Sequence, residues 1–145
     1  MNLFVVSPRF TRSIVAIAAC VLSAGCEGNS FAPIGEAPLV DVLATKATAG
    51  SLIPVRLENP GSSAWNYNLC LDATLQRLVD DAWMPAPPPL RLCTLEMHTL
   101  PAGGSLESGV YVPLGYEAGT YRVAVEFSRN KLGSATALSG AFAVE

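Results

Sequence analysis

Few side chains in this 145-residue chain could carry out chemistry, and they are scattered. The single histidine, His98, sits between Met97 and Thr99 with Glu96 two residues earlier, so it has a carboxylate nearby but no second imidazole. A lone strand histidine of this kind is a surface group rather than a metal ligand or a general base. Ser62, Ser63, Ser105 and Ser108 lack the Gly-x-Ser-x-Gly elbow and any triad order. Asp72, Asp80 and Asp81 lack the fixed oxygen-ligand spacing and central glycine of a calcium loop. Gly103-Gly104 has no lysine and no following helix, so it reads as a turn and not a phosphate cradle. No catalytic residues, no metal site and no cofactor are expected, and the chain reads as a non-enzyme. The remaining reactive groups are four cysteines, Cys20, Cys26, Cys70 and Cys93, with no Cys-x-x-Cys redox spacing among them.

Composition narrows the class further. Nine Lys plus Arg against 12 Asp plus Glu give a formal net charge of -3, which leaves no basic face for nucleic acid. Half of the residues are hydrophobic and only 14% are charged, and the 11 prolines and 12 glycines are spread along the chain. Spread turn residues suit many short strands in one domain.

The apolar content is concentrated at the start. Arg9 and Arg12 are the only charges before Cys26, and the thirteen residues from Ser13 to Gly25 are apolar or small. A charged start, a short apolar run and a small-residue end form the layout of a secretory signal peptide. Thirteen helical residues reach roughly 20 Å, short of the ~30 Å hydrocarbon core that a permanent span must cross.

This segment ends Leu22-Ser23-Ala24-Gly25-Cys26 and there resembles the lipobox of bacterial lipoproteins, although Ser23 stands where leucine is commonest. The resemblance implies a signal peptide over residues 1–25, cleavage after Gly25 and a lipid on Cys26. Ile17-Ala18-Ala19-Cys20 is a second, weaker candidate because Arg12 leaves it only seven apolar residues. Two or more acyl chains hold a protein firmly on a bilayer. In diderm lipoproteins an Asp after the cysteine commonly retains the protein at the inner membrane. Glu27 stands there instead, which points to the outer membrane of the cell envelope.

Residues 26–38 then read as the lipidated terminus and a linker. The stretch from Glu27 holds two glycines and two prolines without periodicity, and it could extend to roughly 40 Å. Loss of Arg9 and Arg12 leaves 120 residues at a formal charge of -5, so the domain gains nothing from lying on anionic lipid. With Cys20 removed and Cys26 lipidated, Cys70 and Cys93 remain as a pair, and an oxidising envelope favours a structural bridge between them.

From Leu39 to Glu145 short alternating runs recur about every ten residues, the pattern of an all-β sandwich of seven to nine antiparallel strands. Runs are expected over Leu39 to Lys46 and over Leu52 to Glu58, with Ile53, Val55 and Leu57 inward and Pro54 at an edge or bulge. A further run alternates through Trp65, Tyr67, Leu69 and Leu71. A hairpin is expected to turn at Asp80-Asp81, followed by a strand over Leu90 to Leu100 and one over Ser105 to Val112. Tyr121, Val123, Val125 and Phe127 alternate in the next, and Leu138 to Val144 closes the domain. Gly119-Thr120-Tyr121 resembles a tyrosine corner, and the whole pattern is similar to bacterial immunoglobulin-like domains of envelope lipoproteins. The antibody core disulfide is absent, since Val123 stands at its second position.

Two apolar surfaces are candidates for binding, one at Trp83 and Met84 and one at the scattered aromatics Tyr111, Tyr116 and Phe142. Trp83 and Met84 flank the run Pro85-Ala86-Pro87-Pro88-Pro89, which reads as a stiff crossover. The expected function is a lipid-anchored, non-catalytic envelope binding or scaffold module, contacting the membrane through its lipid and an envelope protein or glycan. The alternative is an inhibitor of a protease or other hydrolase, acting through the loop at 83–90.

Overall fold

The computed structural model describes residues 37–129 and 133–145; the segment expected to be a signal peptide, Cys26 and most of the expected linker lie outside the described residues. What is described is an all-β sandwich. One sheet has three strands in the order β1 (Leu39–Val42), β3 (Leu52–Glu58), β8 (Ser105–Tyr111). The other is built around the long β9 (Gly119–Ser128). On one side of β9 lie β10 (Ser134–Leu138) and β11 (Phe142–Val144), the latter joined in parallel by β2 (Lys46–Ala47). On its other side lie β4 (Trp65–Tyr67) and β5 (Ala73–Val79), extended outward by β7 (His98–Leu100) and β6 (Ala82–Pro85). Packing starts at Pro38, which is fully buried, one residue ahead of the expected domain start.

Period-two alternation makes the core. Ile53, Val55 and Leu57 of the first sheet and Val123, Val125 and Phe127 of the second are all fully buried, with Trp65 and Leu100 between them. The eleven segments are nine strands, because β4 with β5 and β10 with β11 are each one strand broken by a local excursion. Ser139 makes the second break. Its N–H donates to the Val123 carbonyl and its Oγ accepts from the Val123 N–H, each at 2.9 Å, so a side chain replaces a backbone acceptor while Gly140 and Ala141 bulge out. The closing strand is therefore two short pieces, beginning at Ser134 rather than at Leu138.

Pro54 differs from the expectation of an edge. It lies in the central strand of its sheet, opposite Gly109. Its carbonyl accepts from the Leu43 N–H at 2.9 Å, but it has no N–H to return. Pairing of β1 stops at Val42 for that reason, and the chain crosses to the other sheet as β2. The Asp80-Asp81 hairpin forms as expected. Both residues have positive φ, 47° and 64°, the geometry of a two-residue turn whose twist matches its strands.

The corner before β9 also forms. Tyr121 Oη donates to the Glu117 carbonyl at 3.0 Å, and the ring stacks on Tyr116 with centroids 5.5 Å apart. A Cβ at Gly119 would lie 3.0 Å from Arg77 Nε and press on that side chain, which reaches over to Glu117 at 2.5 Å and the Ala118 carbonyl at 3.2 Å. Tyr121→Phe should cost about 1 kcal/mol of unfolding free energy by urea titration, the usual net worth of one such bond. An unchanged midpoint would mean that the hydroxyl does not hold the corner.

Candidate functional site

The broken strand generates the surface of interest. Asn66 pairs with Ser128 and Ala73 with Val125, so seven positions on one strand pass three on β9. The excess is spent in a one-turn helix, α1 (Leu69–Asp72), which takes Leu69 and Leu71 out of the expected alternation and leaves Leu71 exposed. Asn68 sets this turn. Its Oδ1 accepts from the N–H of Cys70 at 3.0 Å and of Leu71 at 3.3 Å, while Asp72 Oδ2 accepts from the Asn68 N–H at 2.7 Å. Its Nδ2 donates outward to the carbonyls of Thr94 at 2.7 Å and Glu96 at 2.9 Å. One buried side chain thus caps the turn and clamps a distant segment.

That segment, residues 86–97, is the strap. The expected strand from Leu90 is paired only from His98. The prolines at 87, 88 and 89 offer no donors, and residues 87–97 make no backbone-to-backbone bond among the described residues. Side chains hold the strap instead. Tyr116 Oη donates to the Pro87 carbonyl at 2.6 Å, Arg91 donates to the Cys70 carbonyl, and Cys93 is disulfide-bonded to Cys70 with Cα atoms 5.6 Å apart. Arg91 and Cys93 face the body, so Leu90 and Leu92, which alternate with them, face away at 107% and 103% exposure, and past the end of this alternation Leu95 is 85% exposed. Buried cores leave single leucines on a surface routinely, but three fully presented on one braced segment form a patch.

Two clefts flank the strap. One, of about 710 Å³, opens between Met84, the prolines, Leu114 and Tyr116. The other, of about 520 Å³, lies under the strap between Leu75, Val110 and Tyr111. Both sizes are those of small-molecule sites. The chain enters at Leu39, beside Glu58, whereas Tyr111 pairs with Leu52 at the opposite end of β3. The larger cleft is therefore at the end of the sandwich away from the chain entry.

The expected site residues are dispersed. Trp83 lies in edge strand β6, half-buried under the Arg122 guanidinium at 4.4 Å from its ring centroid, and Met84 is exposed and lines the larger cleft. Residues 83–85 are thus strand, not loop. His98 is exposed with its ring 5.7 Å from Tyr67. Asp80 and Asp81 form the hairpin turn while Asp72 belongs to α1 at the other end of β5. No group of three or more His, Cys, Asp or Glu side chains is placed to hold a metal among the described residues, and no helix among them is long and apolar enough to cross a membrane. The sequence reading missed the strap, Asn68 and Arg91. Its only advance signals were the proline run and the Asn68 to Cys70 spacing.

The fold and the strap define a class of architecture, an all-β sandwich with a tyrosine corner and a disulfide-braced crossover along one side. No protein-family description matches the chain, and no curated protein does. Among solved structures it is similar to Spo0M, the sporulation control protein of Bacillus subtilis, with a TM-score of 0.43 and 15% identity over 75% of this chain and 49% of that one. It is also similar to AlkC, a Pseudomonas fluorescens alkylpurine DNA glycosylase bound to DNA containing an abasic-site analogue, at 0.35 and 16% over 74% and 30%. The chain spans about half the length of the first and under a third of the second. Likenesses at these scores carry no argument about its activity.

Burial raises the Tyr116 phenol above its ordinary value of 10.0, with Tyr121 adding to the rise and Arg91 opposing it. A raised folded value favours the neutral phenol, so this contribution is complete below pH 10.0 and is lost as pH climbs through the raised value. Tyr116→Phe should flatten part of the alkaline loss of stability, read by urea titrations across that range. Asn68→Ala should cost about 2 to 3 kcal/mol, because two strap carbonyls and two helical N–H groups lose their partner together. Breaking the bridge with Cys70→Ala and Cys93→Ala should cost about 3 kcal/mol in the chain-entropy account. Urea midpoints unchanged in both variants would show that the strap contributes nothing to folding.

Proposed function

We propose that the chain is a lipid-anchored protein of the bacterial cell envelope whose immunoglobulin-like sandwich is a non-catalytic binding module, engaging a protein partner through the strap. The observation that carries this reading is the set of three exposed leucines on a segment braced by Cys93, Arg91, Asn68 and Tyr116. A preorganised apolar patch loses little entropy on binding, and its removal from water supplies the driving force. The resemblance of Ser23-Ala24-Gly25-Cys26 to a lipobox supports the anchor, and the Cys70–Cys93 bridge fits an oxidising compartment.

The inhibitor reading is favoured by one observation and shifted by another. Burial alternates from Leu90 to Thr94, with Arg91 and Cys93 held inward, which suits entry into a cleft. The presented segment is then 90–95, displaced from 83–90 because Trp83 to Pro85 pair in β6.

Three experiments test these readings. Cys26→Ser should release the protein from the membrane fraction, and a variant that stays there uncleaved would overturn the anchor. A photocrosslinker at Leu92 of the lipidated chain should give an envelope adduct that Leu90→Asp with Leu95→Asp abolishes; an adduct indifferent to those charges would remove the strap from the interface. Inhibition of any member of a protease panel at micromolar concentration, lost with Leu90→Asp, would favour the inhibitor reading.

A further inference from the structure

Among the described residues, Lys46, Arg56 and Arg77 pair with the carboxylates of Glu145, Glu107 and Glu117, whereas Arg91 and Arg122 are held by neutral groups. Arg122 binds Gln76 and lies over Trp83, and Arg129 lies over Trp65 with its guanidinium carbon 4.2 Å from the ring centroid. Arg91 has no salt bridge among the described residues; its partner is the neutral Cys70 carbonyl. It is half-buried and lines the 520 Å³ cleft beneath the strap.

The cleft around it is mostly apolar, with Thr74 and Gln76 among its polar lining. Leu75 and Val110 are nearly fully buried on its inner side, Tyr111, Pro113 and Tyr116 form its walls, and Pro88 and Pro89 cross its mouth. A guanidinium taken partly out of water without an anion is an electrostatic deficit. Its planar fork has N–H groups beyond the one given to Cys70, and these match the two oxygens of a carboxylate. One cation balances one negative charge, so a monoanion fits and a dianion in this acidic chain does not. The apolar walls require that the rest of the ligand be hydrocarbon.

We infer that the cleft under the strap binds an amphipathic monocarboxylate, its carboxylate on Arg91 and its apolar body between Tyr111, Tyr116 and Leu75. The bridge and the Tyr116 bond to Pro87 keep the strap over the bound chain. This site is separate from the outward leucines, so it stands or falls independently of the partner reading.

The test uses the full chain in phosphatidylcholine nanodiscs, with empty nanodiscs as the blank, and two matched probes, phenylbutyrate and phenylbutanol. Binding is followed by the NMR shifts of the Arg91 side chain and the tyrosine rings. The acid should bind about tenfold more tightly than the alcohol, the scale of one charge-assisted contact. Arg91→Ala should erase that preference while leaving alcohol binding and the disulfide intact, Arg91→Lys should restore part of it, and Arg56→Ala should change nothing. Equal binding of acid and alcohol, an acid preference that survives Arg91→Ala, or no binding of either probe would each overturn the proposal.

Discussion

The side surface of this sandwich depends on the hydrogen bonding of one buried amide, Asn68. A carboxamide has both acceptor and donor ends, and each is used. The acceptor stops a strand by capping a single helical turn, and the donors hold two carbonyls of a segment that comes back 26 and 28 residues later. Cys70 follows two residues on, so the turn that Asn68 creates is also the turn that presents the sulfur to Cys93. Without the interruption β4 would run straight into β5, and the strap would keep only the Tyr116 bond to Pro87.

The strap needs such anchors because it is made of residues that cannot use the sheet. Three prolines remove donors in succession, and a backbone without a ladder stays ordered only where side chains hold it. Tyr116, Arg91, Cys93 and Asn68 take up that work at intervals, leaving Leu90, Leu92 and Leu95 with nothing to pack against. Order without burial is what gives the leucines and the cleft beneath them their interest. The same logic operates elsewhere on a smaller scale: Pro54 ends the pairing of β1, and Ser139 supplies from its side chain the acceptor that a bulged strand has lost.

Much of the sandwich was legible from alternation alone. The inward sets at Ile53, Val55 and Leu57 and at Tyr121 to Phe127 are where period-two reading places them, and the Asp80-Asp81 turn and the Tyr121 corner carry local signatures that need no partner. Legibility failed where alternation was a coincidence of composition. Leu69 and Leu71 continue the apolar pattern of Trp65 and Tyr67, yet a cap three residues earlier than Leu71 overrides it. Leu90, Leu92 and Leu100 look like one strand, but the segment before His98 lacks a neighbour with free donors.

The sequence by itself determined that the chain builds a two-layer β-sandwich, because strand periodicity and turn chemistry are local properties. It also pointed to Cys70 and Cys93 as a pair, and these two are bridged. Only the tertiary structure decided which groups the strap leaves exposed and which it holds inward. Whether Arg91 finds a carboxylate, whether Leu92 is covered and what Asn68 clamps all depend on segments more than 20 residues apart in the chain. Such contacts are set by how two sheets and a strap close on one another, which no local pattern encodes.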